Sequence, residues 1–241
     1  MSQAKLFRMI DKAVFEYKLI ENGDKILIGA SGGKDSTALV EYFAKRKLQQ
    51  RKDENGNPIN FEFTALHVET EIGSPLNPAL RKQFASWDVE PEIIKVAVLG
   101  RLKEGKSMNC WWCSTQRRTE LNNYAIEHGY NKIALGHHLD DILETLLMNA
   151  LNKGELSTMP PKLKYNQYPV TVIRPLCFAD VDSIIAHAKA AGYISDTCTC
   201  NYQENSGRKD ARKRLSDLTH NASEKRRLFE ALRNVRPEYL P

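Results

Sequence analysis

The sequence predicts an α/β fold, a doubly wound and mainly parallel sheet with a helical C-terminal arm, and three observations point to it. Strand and helix patterns alternate from residue 25 to residue 191, as expected of successive βαβ units. A glycine-rich turn, Ala30-Ser31-Gly32-Gly33-Lys34-Asp35-Ser36, joins the first apolar strand to a helix. The 241 residues are 41% hydrophobic and 27% charged, which supports a buried core and excludes disordered and fibrous classes.

The elements follow in order. Leu6, Ile10, Val14, Phe15 and Tyr17 recur at helical spacing across residues 4–20, and Asn22-Gly23 is a stop signal. Lys25 to Gly29 reads as a short buried strand, followed by the glycine loop and a helix from Thr37 to Leu48. Asp53 to Asn60 is polar, with Gly56 and Pro58, and forms a surface loop before a strand from Phe61 to Val68. The alternation continues with a helix Pro78–Trp87, strand Glu92–Val98, helix Thr115–His128, strand Lys132–Gly136, helix Asp140–Leu151, strand Val170–Ile173 and helix Val181–Ala191. Residues 1–203 make one expected domain and residues 204–241 an appended basic helical arm.

Charge and thiols narrow the function classes. The net charge of +5 is concentrated at the C-terminus, where Asn205 to Arg236 holds ten basic and four acidic residues. Such a face suits a polyanion, or is simply a solvated helical surface. Apolar runs such as Ile26–Ile28 and Val96–Leu99 fall far short of the ~20 residues of a membrane span. No signal-peptide pattern opens the chain, so a cytoplasmic protein without a membrane partner is expected. Five cysteines are odd in number and too sparse for a disulfide framework, so reduced thiols are expected.

A glycine turn between a parallel strand and a helix presents backbone N–H groups and a helix N-terminus to an anion. Ser31, Gly32, Gly33, Lys34, Asp35 and Ser36 fit that placement, although a bare tight turn is the simpler reading. The loop is neither a Walker A loop nor a Gly-x-Gly-x-x-Gly dinucleotide turn. About 100 residues later, Gly136-His137-His138-Leu139-Asp140-Asp141 ends a strand and opens a helix whose Leu139, Ile142, Leu143, Leu146 and Leu147 form the buried face. Asp140, Asp141 and Glu144 lie toward that helix's N-terminus, where they serve as caps, or where Asp141 serves as a magnesium or pyrophosphate-side ligand. Cys110-Trp111-Trp112-Cys113 and Cys198-Thr199-Cys200 supply four thiols. They suit a redox pair, a zinc site, or a 4Fe-4S cluster held by three of them with one iron open. Cys177 reads as a structural core residue.

Ser31-Gly32-Gly33-Lys34-Asp35-Ser36 resembles the PP-loop signature of the N-type ATP pyrophosphatases, a Rossmann-like fold, and the Gly136 to Thr145 segment is similar to that of their tRNA-thiolating and lysidine-forming branches. Cys110-x-x-Cys113, Arg117-Arg118, Met159-Pro160-Pro161-Lys162-Leu163 and Ile173-Arg174-Pro175-Leu176 resemble the TtcA family, which makes 2-thiocytidine in the tRNA anticodon loop, over about residues 4–203. The resemblance implies an ATP- and Mg²⁺-dependent sulfurtransferase that adenylates C2 of a cytidine, at position 32, and uses a 4Fe-4S cluster. It assigns Ala30, Ser31, Gly32, Gly33, Lys34, Asp35, Ser36, Leu66, Val68, Gly136 and Asp141 to the nucleotide, and Lys34, Arg117 and Asp141 to catalysis. Arg117, four residues beyond Cys113, is spaced to link cluster and α phosphate, or is a surface arginine. Cys110, Cys113 and Cys200 are the implied cluster ligands, with Cys198 the alternative third. The family has Cys-x-x-Cys where this chain has Cys198-x-Cys200, and matching Gln203 selects Cys200. Arg212, Lys213 and Arg214 are the expected RNA contacts. A homodimer is expected, with sulfur from a cysteine desulfurase or free sulfide. Two other classes share parts of this pattern: a PP-loop ATP-dependent ligase or thiolase acting on another base, and a zinc-binding nucleotide sensor.

Overall fold

Alternating inward and outward apolar residues on each strand build a sheet covered on both faces. In the computed structural model, which describes residues 2–49, 52, 55–73, 75–193 and 207–239, six strands stand in the order β3-β2-β1-β4-β6-β5. They are β1 (Asp24–Gly29), β2 (Phe61–Thr70), β3 (Glu92–Val96), β4 (Lys132–Ala134), β5 (Lys162–Lys164) and β6 (Thr171–Ile173). All pairs are parallel except β5 with β6. The predicted α/β class and mainly parallel sheet are therefore those of the molecule. The short antiparallel edge β5 was not expected, because three residues between prolines and tyrosines carry no readable alternation.

The helices are α1 (Ser2–Glu16), α2 (Lys34–Lys47), α3 (Pro78–Ala85), α4 (Cys110–Glu127), α5 (Leu139–Lys153), α6 (Val181–Ala190), α7 (Gly207–Leu218) and α8 (Ala222–Ala231). Ile26 and Ile28 point into one core with Leu39, Phe43, Leu143 and Ile184, whereas Leu27 points into the other with Leu66, Val68, Leu121 and Val172. Strand order reverses between β1, which leads outward to β2, and β4, which leads outward to β6. In a doubly wound sheet that switch point is where a ligand fits, outside the carboxyl ends of the strands. The glycine loop follows β1 and the Gly136 to Asp141 segment follows β4, so the topology brings the two motifs to one place.

Three boundaries differ from expectation in ways that matter. Helix α2 starts at Lys34 rather than Thr37, placing Lys34, Asp35 and Ser36 in its first turn. Strand β4 stops at Ala134, freeing Leu135 to His138 as a loop. Helix α4 starts at Cys110 rather than Thr115, because Asn109 caps it by accepting from Trp112 N and the Trp112 indole donates to Val98 O at 3.0 Å. Helices α7 and α8 pack on α5, with Ala211, Leu215 and Phe229 buried. The expected boundary at residue 203 lies outside the described residues. Among the described residues no helix is long and apolar enough to cross a membrane.

On the far side of α2, Glu41 is buried with Nε2 of His187 at 2.7 Å from its Oε2, Lys45 at 2.5 Å from its Oε1, and the Tyr193 hydroxyl also bonded to it. Burial raises the Glu41 carboxyl, but the hydrogen bonds from His187, Lys45 and Tyr193 outweigh it and bring the pKa down to about 2. A carboxylate lowered in this way contributes stability above its unfolded pKa near 4.5 and loses it as pH falls toward 2. Glu41→Ala is expected to destabilise the fold by about 3 kcal/mol, as breaking a buried pair does. It should also flatten the acid limb of stability below pH ~4.5, which urea unfolding at a series of pH values measures.

Candidate active site

The glycine loop is pinned at its base and open at its tip. Ala30 N donates to Leu66 O at 2.9 Å, and the buried His67 lies with Nδ1 2.7 Å from Ala30 O. Gly32 has φ +90°, a conformation that favours glycine. Ser36 Oγ donates to Gly33 O at 3.0 Å and lies 3.1 Å from Ser31 Oγ. Gly33, the N-cap of α2, has no side chain to cap the helix, so the first-turn N–H groups are offered to an anion. Lys34 Nζ rests 3.0 Å from the Asp35 carboxylate.

The second motif lies directly against this loop. A Cβ on Gly136 would stand 3.1 Å from Ser36 N and 3.2 Å from Asp35 C. His138 caps α5, with Asp141 N donating to its Nδ1 at 3.4 Å, and Asp141 Oδ2 accepts from His138 N at 3.1 Å. The imidazole bridges the motifs, its Nε2 lying 3.5 Å from Asp141 Oδ2 and 4.0 Å from Asp35 Oδ1. Asp141 thus caps α5, and through His138 it also faces the loop. Buried Arg174 holds the segment from behind, donating from Nη1 to Pro160 O at 2.6 Å and from Nε to His137 Nδ1 at 3.3 Å. Burial and then the Arg174 charge lower the His137 pKa to about 4. His137 therefore stays neutral at neutral pH, and acidification from about 6.5 toward 4 works against the folded state.

Cys110 and Cys113 occupy the first turn of α4, both partly exposed. One turn on from Cys113, half-buried Arg117 shares the face that continues to Leu121, whose Cδ1 would lie 3.4 Å from a Cβ on Gly29. That stripe therefore descends from the thiols to the start of the glycine loop. Cys198 and Cys200 lie outside the described residues. Cys177 is fully buried, and desolvation pushes its thiol up to about 12.

Leu66 and Val68 are buried in β2, where the Leu66 carbonyl anchors the loop. On α7, Arg212, Lys213 and Arg214 are all exposed, and Arg212 in addition donates from Nε to Glu144 Oε1 at 2.8 Å. Arg208 lies 3.4 Å from Asp141 Oδ1, Lys225 2.5 Å from Asp140 Oδ1, and Arg226 3.4 Å from Asp180 Oδ2. His67, Arg174 and Arg208 are site residues that sequence reasoning passed over. A histidine at an inward position of an apolar strand was the one available signal for His67.

Among the described residues no three His, Cys, Asp or Glu side chains converge as a metal centre. Asp35 and Asp141, one on each motif, fit a Mg²⁺ that completes its shell with phosphate oxygens and water, its usual arrangement. The paired thiols at a helix N-terminus, where the dipole favours negative charge, fit a cluster or zinc. Gly136→Ala would press a methyl group on the backbone of Asp35 and Ser36. We expect a stability loss of about 1–3 kcal/mol from the overpacking and, by titration calorimetry of the folded protein, ATP binding weakened about tenfold or more.

The profile of the PP-loop domain family matches residues 2–219. A tRNA-cytidine(32) 2-sulfurtransferase 1 from Francisella philomiragia is 35% identical over 99% of this chain and 93% of its own length. A tRNA-cytidine(32) 2-sulfurtransferase from Anaeromyxobacter dehalogenans is 37% identical over 99% of this chain and 81% of its own. Among solved structures, the U34-tRNA thiolase NcsA from Methanococcus maripaludis with its 4Fe-4S cluster superposes with a TM-score of 0.74 at 24% identity, covering 97% of this chain and 79% of that one. With its loop, second motif and thiol pair in these positions, the chain belongs to the PP-loop domain family and, within it, to the transferase enzymes of the TtcA family.

Proposed function

We propose that this chain is an ATP-dependent tRNA sulfurtransferase that adenylates C2 of a cytidine, position 32 of the anticodon loop, and replaces its oxygen with sulfur. The observation that carries this reading is the approach of the Gly136 loop to the backbone of Ser36, with the Cys110–Cys113 turn at the same carboxyl edge of the sheet.

The C2 oxygen of cytosine is a poor leaving group. Its attack on the α phosphorus of ATP expels pyrophosphate and leaves an adenylated base, from which AMP departs when sulfur attacks C2. The uncapped first turn of α2 and Lys34 stabilise charge on the phosphates, the term that dominates such transfers. Lys34 exchanges its Asp35 partner for phosphate oxygens. Asp141 and Asp35 would hold a Mg²⁺, which would supply charge neutralisation on the phosphates. Neutral His137 and the His138 cap keep the α5 turn fixed while charge moves. Cys110, Cys113 and Cys200, with Cys198 as the alternative third ligand, would hold a 4Fe-4S cluster, which supplies an iron site for sulfur when bound. Arg117 lies between the thiols and the loop, placed to steady the α phosphate as sulfur arrives. A cysteine desulfurase or free sulfide provides the sulfur.

Separable chemistry tests the reading. Lys34→Ala and Asp141→Ala should abolish AMP and pyrophosphate formation on tRNA while iron content after anaerobic preparation stays unchanged. Cys110→Ala, Cys113→Ala and Cys200→Ala should lose iron and thiolation, whereas Cys198→Ala and Cys177→Ala keep both. Full iron and activity in Cys110→Ala would overturn the cluster.

The RNA face is tested by salt. Lys213 and Arg214 point to solvent, while Arg212 is engaged by Glu144, so the double change Lys213→Gln/Arg214→Gln isolates phosphate contacts. It should weaken tRNA binding and flatten the log–log salt slope by about 1.5, at 0.7 to 0.9 per contact. ATP affinity should stay the same. Superimposable filter-binding curves would remove α7 from the RNA site.

A further inference from the structure

Three carboxylates on α5 face the C-terminal helices, and their contacts leave different capacities over. Asp140 is buried and bonded twice, accepting from Val181 N at 2.9 Å and from Lys225 at 2.5 Å. Glu144 is buried farther along the helix, its Oε1 paired with Arg212. Both Asp140 and Asp141 lie against His138, but only Asp141 meets the imidazole at Nε2, the nitrogen that also faces Asp35 of the glycine loop. Its Oδ2 is committed to the helix cap, so Oδ1 is the oxygen left for a ligand, and Arg208 Nη1 stands 3.4 Å from it. The Arg208 side chain is 43% exposed. A long, half-exposed ion pair of this kind is weak and exchangeable.

We propose that Arg208 is a positioning residue of the nucleotide site, supplied by the C-terminal helices and acting through Asp141. It is the counter-ion that the nucleotide's divalent cation must displace, and so it sets the Mg²⁺ requirement for ATP binding. The inference rests on the reading that Asp141 faces that cation. A guanidinium and Mg²⁺ cannot both sit in line on Oδ1, since Mg²⁺ approaches an oxygen to about 2.1 Å and like charges repel. Arg208 also adds to the positive charge that holds His137 neutral, consistent with its lying over the second motif. The order of contacts from Arg208 through Asp141 and His138 to Asp35 runs from the C-terminal helices to the glycine loop without a gap larger than 4.0 Å.

The test is calorimetric binding of ATP to the full chain, without tRNA, at a series of Mg²⁺ concentrations. Arg208→Gln should move the Mg²⁺ midpoint about 2- to 5-fold lower, the range a partly exposed ion pair sets. Arg208→Lys, which keeps the charge, should stay near the wild-type midpoint. In an Asp141→Asn background, Arg208→Gln should produce no further shift, because the effect passes through that carboxylate. A midpoint in Arg208→Gln that is unchanged or higher overturns the proposal, as does an equal shift with or without Asp141. A wild-type chain that binds no ATP at any Mg²⁺ concentration would instead overturn the nucleotide reading itself.

Discussion

The parallel pairing of β1 with β4 is the constraint on which the site depends. Ile26, Leu27 and Ile28 lie in register with Lys132, Ile133 and Ala134, so the two chain segments that leave these strands emerge side by side. Residues separated by a hundred positions in sequence thereby share one anion-binding corner. The buried Lys132 secures the other end of the pair, reaching Asp24 and Glu21 at 2.7 Å each, while Asn131 donates to Asp24 at 2.8 Å. Lys132 and Asp24 are tolerated this deep because each meets the other's opposite charge, and removing one would strand the other. The lock at the amino edge of the sheet and the open corner at the carboxyl edge are two ends of one strand pair.

A second theme is how negative charge is distributed on α5. Asp140, Asp141 and Glu144 crowd its first turns, where the helix dipole favours them but their mutual repulsion does not. The C-terminal helices answer with Lys225, Arg208 and Arg212. Much of the basic excess that looked available for a polyanion is thus spent internally, and the cations that remain toward solvent on α7 include Lys213 and Arg214. The basic surface left to solvent is narrower than the composition suggested, and the helices that carry it are tied by ion pairs to Asp140, Asp141 and Glu144 of α5.

Legibility followed the range of the interaction. The glycine loop and the Gly136 to Asp141 segment were readable because their chemistry is local: glycines free the backbone, a histidine and an aspartate cap a helix, apolar residues recur at helical spacing. The Cys110–Cys113 pair was readable as a Cys-x-x-Cys motif but not as a helix start, since that depends on Asn109 and on an indole reaching Val98. The contacts of His67, Arg174 and Arg208 were not legible for the same reason, although Arg174 stood out as part of Ile173-Arg174-Pro175-Leu176. Their partners Ala30, Pro160 and Asp141 are 37, 14 and 67 positions away, and beyond the inward position of His67 on an apolar strand nothing in their own neighbourhoods signals a contact. Strand β5 was missed because it is held by its register with β6 rather than by its own pattern.

The burial of Cys177 divides the sulfur chemistry of the chain into two populations. A thiol sealed in the apolar core with its ionisation suppressed is a poor nucleophile toward alkylating reagents and oxidants alike, whereas Cys110 and Cys113 are partly exposed in the first turn of α4. Brief labelling of the native protein therefore reports on the surface thiols, and incorporation at Cys177 counts the molecules that have opened their core. The buried thiol is thereby an internal clock for the integrity of the fold that encloses it.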